Sequence, residues 1–283
     1  MLAKVTMNPP LRTLAWRVPL LLAAVLGAVM VLGLEKYVIF VPDRALEMTP
    51  GDLAIPFQDV RFLASDGVRL HGWFVPDPAA RLTLVWFHGN AGNISHRVEN
   101  IGLLRRAVAL NIFIFDYRGY GLSDGRLSDL SEDATYRDAE GALAYLRRRD
   151  DLRKTRLVYF GRSLGAAIAV EMARRHPPAG LILETPFTSI RDMARTVLPF
   201  LPIGGLVRTR YDSLAKIPEV RVPLLVLHGD RDDVVPFAQG RRLFEAAREP
   251  KTFYAIRGAH HNDTFVAGGR AYFDVWARFL SGL

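Results

Sequence analysis

Short, almost wholly apolar runs recur along this chain: LTLVWF at Leu82–Phe87, NIFIF at Asn111–Phe115, and others at Arg156–Phe160, Leu181–Leu183, Leu224–Leu227 and Thr252–Ile256. A strand that reads as a continuous apolar run is buried on both faces, which is the condition of a parallel sheet covered by helices. The stretches between them meet that need. Asp133–Arg149 brings Ala139, Ala142, Leu143 and Leu146 close to one helical face, and Leu164–Arg175 is a small-residue helix stopped by Pro177. Ile94–Leu110, Phe237–Ala247 and Arg270–Leu280 also read as helices. Val60–Ala64 and Val68–Val75 flank Asp66-Gly67, a hairpin turn that adds antiparallel strands at one edge. In such a sheet ligands bind at the carboxyl ends of the strands.

At one of those ends stands Gly161-Arg162-Ser163-Leu164-Gly165. G-x-S-x-G between an apolar strand and a helix is the context of a nucleophile elbow. The serine occupies a sharp strand-to-helix turn, and crowding two residues on either side admits only glycine-sized positions. The N-terminus of the following helix favours a developing oxyanion through its free N–H groups and dipole. Ser163 is therefore the candidate nucleophile. Leu164 supplies one candidate oxyanion N–H. The other comes from the loop FHGNAGN at Phe87–Asn93, from Asn90 or alternatively Ala91. His88 in that loop reads as a structural brace.

An acid and then a base should follow the serine in chain order. Asp230, Asp232 and Asp233 compete for the acid, in the loop after Leu224–Leu227. The two not used are expected to cap Phe237–Ala247 or close the turn. His260 and His261 compete for the base, in the loop after Thr252–Ile256. A neutral imidazole there could accept the serine proton. The residues alone leave both choices open. His71, His96, His176 and His228 read as surface or packing positions.

FHGNAGN, DYRGYGLSDG at Asp116–Gly125, GRSLGAA at Gly161–Ala167, ETPFTS at Glu184–Ser189, HGDRDDVVP at His228–Pro236 and GAHHND at Gly258–Asp263 together resemble the Bem46-like α/β-hydrolases. This group is similar to depalmitoylating thioesterases and monoacylglycerol-lipase-like enzymes. The resemblance runs from about Tyr37 to the C-terminus. It implies an α/β-hydrolase fold, with Asp232 as acid and His261 as base; the stretch between Leu183 and Leu224, where this superfamily inserts caps, is short enough for only a small cap or none. His260 stands where many relatives have Gly.

Val18–Leu34 carries no charge and, extended past Arg17 to Leu14, is long enough for a membrane helix. Lys4, Arg12 and Arg17 precede it, so the positive-inside rule puts the N-terminus in the cytoplasm and the catalytic domain across the membrane, on the periplasmic face if the source is bacterial. A cleaved signal peptide is the rival reading. The domain plan is then a tail and anchor over 1–36, a strap over 37–58, and a catalytic domain over 59–283 with a short lid at about 186–220. No cysteine is present, which excludes disulfides and a thiol nucleophile. The net charge of +8 is scattered and matches no nucleic-acid motif, and it suits anionic lipid. No ligand spacing calls for a metal. Gly119, Gly121 and Gly125 are off the dinucleotide fingerprint, so no cofactor is expected.

The expected function is hydrolysis of an ester or thioester of lipid-like or other acyl character through an acyl-enzyme. A peptidase would use the same residues. A non-catalytic, membrane-anchored binding module is the alternative of another class. Oligomeric state is open.

Overall fold

The computed structural model describes residues 35–197 and 208–283. The expected membrane helix and the middle of the expected lid lie outside the described residues. Among the described residues no helix is long and apolar enough to cross a membrane.

The described residues form an eight-stranded sheet: β1 Gln58–Leu63, β2 Arg69–Val75, β3 Leu82–Phe87, β4 Asn111–Phe115, β5 Arg156–Arg162, β6 Gly180–Glu184, β7 Leu224–Gly229 and β8 Lys251–Ile256. The spatial order is β1-β2-β4-β3-β5-β6-β7-β8. The β1–β2 and β2–β4 pairs are antiparallel and all later pairs are parallel. The expected hairpin is thus present as the antiparallel edge.

Helices cover both faces: α1 Lys36–Ile39, α2 Val98–Ala107, α3 Glu132–Arg147, α4 Leu164–Arg175, α5 Ile190–Val197, α6 Ser213–Lys216, α7 Phe237–Ala246 and α8 Thr264–Ser281. The alternation of strand side chains divides the core in two. Val85, Phe87, Phe113, Phe115, Tyr159, Leu181, Leu183 and Val226 pack with α3, α4 and α7. Their neighbours Leu84, Trp86, Ile112, Ile114, Phe160, Ile182 and Leu225 pack with α2 and α8. This is why the strands show no polar alternation in sequence.

Two helices differ from expectation. Ile94–Leu110 opens as a 3-10 turn, Ile94–Arg97, because the Asn93 side chain accepts from the Ser95 N–H at 2.9 Å and starts the turn there. The last helix begins six residues before Arg270, at Thr264, and is broken at Gly269, where φ is 50° and ψ −141°. The Gly268-Gly269 pair hides its first turn from a periodicity reading.

Trp276 locks α8 to the sheet. It is fully buried and meets Phe160 edge to face at 4.7 Å. Trp276→Ala should lower the unfolding free energy by about 3–5 kcal/mol, read as a shifted denaturant midpoint with an unchanged slope.

Candidate active site

Two glycines let the elbow form. A Cβ on Gly165 would lie 1.9 Å from the Phe87 carbonyl oxygen, and one on Gly161 would lie 2.3 Å from the Gly165 carbonyl oxygen. Helix α4 therefore abuts the carboxyl end of β3, and Ser163 takes the turn between β5 and α4 at φ 51°, ψ −116°. A side chain at positive φ costs on the order of 1–3 kcal/mol and persists where the surroundings hold it. Here its N–H donates to the Glu184 carbonyl at 2.9 Å.

Ser163 and His261 line one cavity of about 480 Å³, together with Leu164, Gly89, Asn90 and Ala91. The expected oxyanion loop thus flanks the serine. His261 Nδ1 donates to Asp232 Oδ2 at 2.8 Å, with Oδ1 at 3.1 Å. That bond leaves the Nε2 lone pair free to accept a proton. Asp232 Oδ1 also accepts the N–H groups of Val234 and Val235 at 2.9 and 2.8 Å. Burial drives the Asp232 carboxyl upward, but hydrogen bonds from His228 and His261, with the Val234 N–H, outweigh it and hold its pKa well below the usual range.

The other aspartates do not cap the following helix as expected, since Pro236 stands at its N-cap and offers no side-chain bond. They face the histidine loop instead. Asp230 accepts the Gly258 N–H at 2.6 Å and Asp233 the His261 N–H at 3.3 Å. The close packing of β7 and β8 puts the two loops side by side, so the carboxylates meet backbone donors there first. His260 is exposed, 3.7 Å from Asp233. His88 braces its own loop, with Nδ1 against the Gly89 carbonyl at 2.7 Å. Burial, with Arg97 nearby, pushes its pKa down to about 3, which keeps it neutral.

The sequence marked His228 only as a surface or packing position and did not single out Glu184 or Arg162. His228 is buried between the Val235 carbonyl at 3.0 Å and Asp232 at 3.3 Å. Glu184 is a buried hub that accepts from Thr264 and Tyr272 at 2.8 and 2.5 Å and pairs with Arg162 at 3.2 Å. Arg162 in turn donates to the His261 carbonyl at 2.5 Å, bracing the histidine loop against β5. The Asn90 side chain holds the strap: it donates to the Ile39 carbonyl at 2.5 Å and accepts from the Val41 N–H at 3.1 Å. The signal available for Glu184 and His228 was their position at strand ends inside quoted motifs. For metal, Asp43, Glu47 and His96 bring ligand atoms within 4.8 Å of one another, but none of them lines the cavity.

A strained serine, an imidazole fixed by a carboxylate and a sheet of this order define an α/β-hydrolase. Residues 78–210 match the family described as "Serine aminopeptidase, S33". The chain is 36% identical to the alpha/beta hydrolase domain-containing protein WAV2 of Arabidopsis thaliana, with 90% of each covered. It is 34% identical to protein bem46 of Schizosaccharomyces pombe, over 82% of this chain and 79% of that one. Among solved structures, a Pyrococcus furiosus esterase superposes with a TM-score of 0.72 at 19% identity, covering 86% of this chain and 97% of that one. Esterase Est1E of Butyrivibrio proteoclasticus, with ferulic acid bound, gives 0.66 at 18% identity, over 78% and 100%. The chain belongs to the Bem46-like α/β-hydrolases.

The depressed Asp232 pKa has a stability consequence. A carboxylate whose folded pKa lies below its unfolded value of about 3.9 stabilises the fold above that value, and the contribution is lost as pH falls through the folded pKa. Between pH 4 and 2 the unfolding free energy of the wild type should fall more steeply than that of Asp232→Asn, as measured by denaturant titration at each pH.

Proposed function

We propose that the protein is a serine hydrolase that cleaves carboxylic esters or thioesters of apolar acyl groups through an acyl-enzyme on Ser163. Ser163 Oγ attacks the carbonyl carbon as its proton passes to His261 Nε2. Asp232 steadies the resulting imidazolium. The oxyanion is received by the N–H groups of Leu164 and of Asn90 or Ala91. The imidazolium protonates the leaving alcohol or thiol as the C–O or C–S bond breaks. Water then attacks the acyl-enzyme, giving one proton to His261, and the freed serine oxygen takes it back as the acid departs.

The observation that carries the acyl preference is the cavity wall. Ile190, Met193, Ala194 and Val197 occupy one face of α5 at helical spacing, and all four line the cavity. Val38, Ile39, Phe187, Val234 and Val235 line it too. Val38, Val197 and Val234 are at the same time 59%, 68% and 46% exposed, so an apolar rim faces outward beside the strap that follows the proposed membrane anchor. A lipid surface at that rim would deliver acyl chains directly. In this reading α5 and the residues after it act as a short lid, and the N-terminal helix holds the domain at the membrane, on the exported side. Esterase relatives in fold accord with ester chemistry. The aminopeptidase reading is less well supported. The wall carries the guanidiniums of Arg162, which is paired with Glu184, and of Arg97, which would repel a substrate's free amine.

A fluorophosphonate probe should label the wild type, and labelling should disappear in Ser163→Ala. Asp232→Asn should lower kcat for p-nitrophenyl butyrate by about 10⁴-fold. Turnover of a peptide anilide in preference to esters, or labelling that persists without Ser163, would overturn the assignment. Met193→Glu should cut kcat/KM for p-nitrophenyl decanoate at least tenfold, through a charge placed in the acyl wall, and leave the acetate ester within about threefold.

A further inference from the structure

Arg97 is a charged group in this cavity wall that the acyl-transfer chemistry does not use. It closes the 3-10 turn after the oxyanion loop and lines the same cavity as Ser163. One of its N–H groups, on Nη2, donates to the Ala91 carbonyl at 2.7 Å. Its Nε is buried and has no hydrogen-bond partner. Among the described residues no carboxylate lies within 4.0 Å of its guanidinium. The second guanidinium on the wall, that of Arg162, is neutralised by Glu184 at 3.2 Å and committed to the His261 carbonyl. The two cations repel, and burial together with that repulsion pulls Arg97 down to about 10, where it is still charged at neutral pH. A part-buried guanidinium with no carboxylate within 4.0 Å costs free energy unless an anion completes it.

We infer that Arg97 is a specificity residue that receives an anionic group, a carboxylate or phosphate, carried by the alcohol or thiol half of the substrate. This rests on the serine-hydrolase reading. The acyl half is the poorer place for the anion, because it would lie along Ile190, Met193 and Val197 and be desolvated without a partner. A planar guanidinium with free donors suits carboxylate and phosphate oxygens. A donor left unfilled by a neutral substrate discriminates against it.

The test is steady-state kinetics on three esters: phenyl butyrate, 3-carboxyphenyl butyrate, and mono-phenyl succinate, whose carboxylate is on the acyl half. Wild-type protein should prefer 3-carboxyphenyl butyrate over phenyl butyrate by about tenfold or more in kcat/KM, chiefly through KM. In Arg97→Gln that ratio should fall to about one, the loss on 3-carboxyphenyl butyrate exceeding any loss on phenyl butyrate about tenfold or more. Arg97→Lys should keep part of the preference. A 3-phosphophenyl butyrate arm then separates phosphate from carboxylate as the better anion. Several results would overturn the assignment: no preference in the wild type, an equal loss on all three esters in Arg97→Gln (a loop brace acting through Ala91), or a preference for the succinate. Failure of wild type to turn over phenyl butyrate, with no fluorophosphonate labelling of Ser163, would instead overturn the hydrolase reading, and this one with it.

Discussion

The approach of α4 to the end of β3 sets the rest of the site. With Gly165 against the Phe87 and His88 carbonyls, the helix N-terminus and the loop Gly89–Ala91 have no room to separate. The Ser163 backbone turns there through positive φ, and Ser163 lines the same cavity as Gly89, Asn90 and Ala91. A single methyl group at position 165 would have to push two main-chain segments apart. The steric demand is local, but it sets how Ser163 stands against the loop Gly89–Ala91.

A second layer of buried polar groups carries that register outward. The Glu184 carbonyl receives the Ser163 N–H, while its carboxylate joins Arg162, Thr264 and Tyr272. Strands β5 and β6 and helix α8 are thus tied at one point behind the serine. Arg162 reaches on to the His261 loop, and His228 supports Asp232 from below. Each charge in this layer has partners, which is the condition for keeping ionic groups in a low-dielectric interior.

The inner strands were legible because burial on both faces leaves an unmistakable apolar run, as in Asn111–Phe115. The elbow was legible because its glycines answer a steric need that sequence states directly. The choice among Asp230, Asp232 and Asp233 was not legible from the residues. It depends on how β7 and β8 set their loops side by side, and it came only with the family resemblance. In the structure it is Asp232 that holds the His261 imidazole. Arg97, Glu184 and His228 escaped for a related reason. A polar residue in a sequence carries no mark of depth, and only three-dimensional packing shows that Glu184 is fully buried while Asp150 is a surface group. The first turn of α8 escaped because two glycines interrupt its period.

The Asn90 side chain spends its hydrogen bonds on the strap, holding Ile39 and Val41, and the segment so held contributes Val38 and Ile39 to the cavity. One wall of the pocket is therefore made by residues that precede the sheet altogether. Two chains identical from β1 onward but different before residue 42 would share their chemistry and not their pocket. Selectivity in this architecture can evolve at the N-terminal edge, without disturbing a single position in the core that carries the reaction.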